Sequence, residues 1–150
     1  MKNTVDFFRP SPASGASPLH ITDEAEACAA VLLACRRADE LNGAGGNATF
    51  LATLKGRNIF IGTDPMQLIE ITGQYFEQAG SSAALINAAI GAIREQTRLP
   101  LFYHCLDVML ADGIVTPQED KIFQYLKGKF KVDEALAFKA LEVLLIKNQL

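Results

Sequence analysis

The sequence predicts an all-α protein, a seven-helix bundle built from two related three-helix units joined by a central helix. Three observations carry this. From Thr22 onward the apolar residues recur at the helical period. Start and stop signals divide that pattern into helix-length pieces. No stretch alternates polar and apolar residues long enough to lie in a sheet.

The elements follow in order. Residues 1–20, MKNTVDFFRPSPASGASPLH, are rich in Pro, Ser, Ala and Gly and bury little, so they read as a flexible N-terminal arm. Within it Phe7 and Phe8 are apolar enough to dock on the domain or on a partner. Residues 21–150 form the single helical domain. Thr22 opens the first helix with acids in its first turn, where the helix dipole favours them. GAGGN (43–47) then reads as a loop. It resembles a phosphate loop only in its glycines, because it follows a helix and lacks the Lys-Ser/Thr ending. Asn47 is a candidate cap for the second helix, and Ile59–Ile61 a short extended connector.

Asp64-Pro65 starts the third helix and Gly80 ends it. Ser81 or Ser82 caps a fourth, AALINAAIGAIREQ, whose Ala and Ile on several faces suit the centre. Leu99-Pro100 is expected to open the fifth, with Leu99, Phe102, Leu106, Met109 and Leu110 as its apolar stripe and Gly113 as its stop. Thr116 and Glu119 form a capping box for the sixth. Asp133 starts the seventh.

A repeat underlies this order. Ala38-Asp39 and Ala111-Asp112 end the first and fifth helices, and Leu-Lys-Gly ends the second and the sixth. The interval from Asp to that Leu is fifteen residues in one copy and fourteen in the other.

Composition excludes some functions. A net charge of −3 and a pI near 5.4 argue against a general nucleic-acid binder, which must neutralise phosphates. No run reaches the eighteen apolar residues of a transmembrane segment, and no secretory signal is visible, so the expected compartment is the cytoplasm. Cys28, Cys35 and Cys105 lack metal spacing and read as buried free thiols. Lys121, Lys127, Lys129 and Lys131 make a basic stretch, suited to solvent, an acidic partner or an anionic membrane surface.

One segment reads as chemistry. Asp107, Asp112 and Glu119 surround a glycine turn, DVMLADGIVTPQE. It is not a calcium loop of the EF-hand type, since Val108 and Leu110 stand at ligand positions. Clustered carboxylates still suit a divalent metal ion, with Asp112 and Glu119 as main ligands and Asp39 and Asp107 assisting. The structural alternative is that Glu119 serves the capping box and Asp112 the turn. His104 and Asp107, three residues apart on one helix face, suit either a ligand pair or a surface contact. No nucleophilic catalytic setting is present, so the chain reads as no enzyme; the alternatives are a pure protein-interaction scaffold with no metal and, behind it, a metal-dependent enzyme.

The stretch FYHCLDVMLADGIVTPQEDKIFQYL resembles the second acidic turn of the TerB-like tellurite-resistance family, and EAEACAAVLLACRRAD is similar to its first helix. The likeness spans roughly residues 20–148. It implies an all-helical bundle with a metal site at its acidic turns, and a stress or tellurite-resistance role through other proteins of such a system. Asp112 and Glu119 match the family motif, and Asp39 matches the first turn. Glu40 replaces the first turn's glycine, and the Glu usual after it is missing.

Overall fold

The structure is a computed structural model describing residues 18–38 and 44–150. Among these residues the chain forms seven α-helices and no strand: α1 (Glu24–Arg37), α2 (Ala44–Gly56), α3 (Pro65–Ala79), α4 (Ser82–Ile90), α5 (Glu95–Met109), α6 (Pro117–Phe130) and α7 (Glu134–Lys147). A 3₁₀ turn, Asn58–Phe60, links α2 to α3. The expected all-α bundle is therefore the observed architecture.

Packing explains the order. α1 is buried without a break from Ala27 to Cys35, because its Ala, Val, Leu and Cys residues leave no polar face there. It lies against α2, α3, α4 and α5. α4 follows α3 in sequence and also reaches α6, so it links the first three helices to the last three. α5 joins α1 to α6 and α7. Leu32, Ile86, Phe102, Leu106 and Ile122 meet in the core. Burying a side chain of this kind stabilises by about 1.5–3 kcal/mol.

Most local signals act as expected. Asp64, Ser81, Thr116 and Asp133 each accept a hydrogen bond from a backbone N–H in the first turn of their helix. Gly80 ends α3 at φ +89°, which only glycine adopts cheaply.

Four boundaries differ. Asp23, not Thr22, caps α1, its carboxylate accepting from the Glu26 amide at 2.9 Å. Ala44–Asn47 are helical rather than loop, and Asn47 caps nothing: its Oδ1 accepts from Arg36 Nε at 2.8 Å, tying α2 to α1. Ile59–Ile61 is not extended, since the Phe60 and Ile61 amides donate to Arg57 and Asn58 carbonyls. α4 stops at Ile90, and α5 begins at Glu95, so Pro100 lies inside it. Its ring removes the helical bond to the Gln96 carbonyl, and Gln96 is exposed. Leu99 accordingly leaves the apolar stripe and stands 37% exposed, while Phe102, Leu106, Met109 and Leu110 are buried.

The α4–α5 corner is held from outside. The Arg94 amide and Nε both donate to the Glu24 carboxylate of α1, at 2.9 and 3.0 Å. Burial would raise that carboxyl's pKa, but the bonds from Arg94 and Thr97 outweigh it and hold it below the ordinary value.

Candidate functional site

The acidic turn sits between α5 and α6, and the end of α7 closes over it. Asp107, on α5, accepts from Lys147 Nζ at 3.1 Å and from Asn148 Nδ2 at 3.4 Å. Gly113 turns the chain at φ +79°, and a Cβ placed there would stand 2.9 Å from the Asn148 carbonyl oxygen. Asp112 is exposed, and its Oδ1 accepts from the Ile114 amide at 3.2 Å, an Asx turn. Glu119 is buried to 2% exposure and completes the capping box: its Oε1 accepts from the Thr116 amide while its own amide donates to Thr116 Oγ1.

Each described carboxylate thus has structural work. Asp107 latches α7, Asp112 shapes the turn, and Glu119 starts α6. Among the described residues no group of three metal-ligating side chains comes together. Asp39, the first-turn partner, lies outside the described residues, as do Glu40 and the arm's Phe7 and Phe8.

The cysteines are buried and free. Cys105 of α5 shares a hydrogen bond with Cys35 of α1, and burial pushes its thiol pKa well up, that contact adding to the effect. Burial likewise pushes Cys28 up to about 12, with the Glu24 charge assisting. These are unreactive core thiols. The basic stretch is less simply solvated than its composition suggests. Lys127 pairs with Glu134 at 2.6 Å and lies over the Phe123 and Phe138 rings, at 5.8 and 5.2 Å from their centroids.

Three features were not singled out from the sequence. Asp23, Glu26, Asp64 and Glu70 line a cleft of about 620 Å³ between the starts of α1 and α3. Asp23 and Asp64 are spent as caps there, and Glu26 accepts from Tyr75 at 2.6 Å. A second cleft, of about 320 Å³, opens where α1, α2 and α5 meet, with His104 and Arg57 at its mouth. The third is α7. Ala137 is its one fully buried residue, while Leu136, Phe138, Val143 and Ile146 are 43%, 48%, 56% and 66% exposed. The apolar run ALAFKALEVLLI, interrupted only by Lys139 and Glu142, was the signal for this face: apolar residues on more sides than one packing partner covers are expected to meet another.

Compared with known proteins, the chain matches no family model, no curated protein and no solved structure.

Proposed function

We propose that this chain is a non-enzymatic interaction module of a stress-response or tellurite-resistance system, that α7 is its contact element, and that α7 of a second copy is the occupant. The exposed face of α7 carries the reading. At helical spacing Ala135, Lys139, Glu142, Val143 and Ile146 share that face, and all are exposed. Large apolar side chains left exposed together mark contact surfaces more often than solvent faces.

The pattern is self-complementary. In an antiparallel pair centred between Ala140 and Leu141, Lys139 stands opposite the partner's Glu142, and Ile146 opposite the partner's Ala135. The twofold repeats each contact, as an isologous interface requires. Among the described residues Lys139 and Glu142 have no ion pair of their own, so both are available. The TerB-like resemblance supports the stress-system setting and action through proteins rather than through a reaction.

Sedimentation equilibrium of the full chain tests this. The expected particle has twice the 16.3 kDa chain mass. Val143→Glu returns it to monomer. Lys139→Glu also weakens it by like-charge contact, and adding Glu142→Lys restores it. A monomer at every concentration, or a dimer indifferent to these changes, overturns the reading.

A second reading keeps a divalent cation at Asp112 and Glu119, with Asp39 and Asp107 assisting. The exposed position of Asp112 on the turn favours it. Calorimetry with calcium, magnesium, manganese and zinc tests it. Equal heats from the parent and from Asp112→Ala would end it.

A further inference from the structure

The cleft at the junction of α1, α2 and α5 has the make-up of a small-molecule site. Its floor is apolar: Leu32 of α1, Phe60 of the 3₁₀ turn and Leu101 of α5, all buried. Its volume of about 320 Å³ lies at the small end of ligand pockets, where a few polar groups fix orientation over an apolar lining. Three hydrogen-bonding side chains converge at the mouth, Arg57 from the end of α2, Asn58 beside it and His104 from α5.

The hydroxyls in the wall are already committed. Thr53 donates to the Thr49 carbonyl at 2.8 Å, and Thr97 bonds the Glu24 carboxylate. Arg57, Asn58 and His104 are not: among the described residues none of their side chains has a hydrogen bond or an ion pair. Arg57 also acts on His104 directly, its charge together with burial disfavouring a second positive charge on the imidazole. Arg57 and His104 thus line one cleft above an apolar floor, and no carboxylate is among its lining residues; Asp107 acts on His104 from the α7 side.

We infer that this cleft binds a small organic monocarboxylate, its hydrocarbon tail on Leu32, Phe60 and Leu101 and its carboxylate on Arg57, Asn58 and His104. A guanidinium offers a planar fork that matches a carboxylate. One fixed cation suits a monoanion better than a polyanion. The short floor limits the tail to a few carbons. The cleft shares only His104 with the groove between α5 and α7, where Asp107, Leu136, Lys139 and Val143 stand, so a change at Arg57 tests it without touching the α7 face.

Titration of the full chain with sodium hexanoate, followed by NMR, tests the site, with hexan-1-ol and sodium acetate as the tail without charge and the charge without tail. Hexanoate should shift the His104 imidazole signals and the Leu32 and Leu101 methyls together and saturably. Hexanol and acetate should each bind about tenfold more weakly or worse, the value of a charge-assisted hydrogen bond or of a short buried tail. Arg57 is exposed, so Arg57→Gln should fold normally; it should lose about tenfold for hexanoate and nothing for hexanol. Arg57→Lys should recover part of that loss. The inference is overturned if hexanoate leaves these signals in place up to its solubility limit. It is equally overturned if hexanol and hexanoate bind alike, or if Arg57→Gln binds hexanoate as the parent does.

Discussion

Asp107 and Lys147 fasten the last helix to the rest of the bundle, Oδ1 to Nζ at 3.1 Å, across forty residues of sequence. The Lys147 side chain is 57% exposed and that of Asp107 28%. Solvent therefore screens most of its Coulombic attraction. Asp107→Asn is expected to cost under about 1 kcal/mol in urea unfolding, and a double-mutant cycle with Lys147→Met should return a coupling of the same small size. A loss of several kcal/mol would mean that the Asp107 carboxylate does something the pair does not explain.

Gly113 carries a heavier constraint on the same junction. Its φ of +79° disfavours any other residue, and an added Cβ meets the Asn148 carbonyl oxygen at 2.9 Å, backbone that cannot swing aside. Gly113→Ala should lose about 1–3 kcal/mol. Hydrogen exchange should quicken first at the end of α7, which the turn supports. Equal protection there in the variant would show that the turn and α7 are uncoupled.

The capping box gives a separate measure of the acidic turn. Thr116→Ala should cost about 1 kcal/mol, the usual worth of an N-cap hydroxyl. Glu119 is buried, with its Oε1 on the Thr116 amide, so Glu119→Gln keeps an acceptor in place and should cost less than Glu119→Ala. Thermal melts of the three variants rank them. If Glu119→Gln were the worst, the negative charge itself would be needed, and the cation reading would gain.

The elements that were legible in the sequence are those governed by short-range chemistry. A cap needs only its own side chain and an amide two or three residues on, so Asp64, Ser81, Thr116 and Asp133 declare themselves. The start of α5 does not. Pro100 imitates a first-turn proline, whereas the true start is set by Arg94 bonding Glu24 from seventy residues away. Asn47 likewise reads as a cap, and Arg36 holds it in the helix instead. The acidic turn was visible as a motif, but its role was not, because Lys147 and Asn148 reach it from the far end of the chain. The His104 cleft draws on α1, α2 and α5 at once, and no single segment contains its pattern.

The thiols should behave as core. Cys28 titrates near 12 and Cys105 well above the ordinary thiol value, both chiefly because burial penalises the thiolate. Iodoacetamide at pH 8 should label Cys28 and Cys105 of the native chain negligibly, and all three cysteines in denaturant. Native labelling at a rate set by reagent concentration, rather than by global unfolding, would contradict this burial.

His104 gives the fold a pH dependence whose sign is fixed. Burial chiefly, and the Arg57 charge next, lower its pKa below the ordinary 6.5, against a smaller opposing pull from Asp107. The neutral imidazole is thus favoured in the folded state, while the unfolded chain protonates His104 at its ordinary value. Near and below pH 6.5 the unfolded chain therefore binds more protons, so stability falls as the pH drops from about 7 toward 5. Glu24 acts in a different window, since a lowered carboxyl loses its contribution only below its ordinary value of 4.5. Urea melts of the parent and of His104→Gln between pH 5 and 7.5 separate the two. The parent should lose stability over that range and the variant should lose less, the difference closing above pH 7. A parent curve that is flat, or steeper in the variant, would show that the imidazole is not held neutral at the mouth of this cleft.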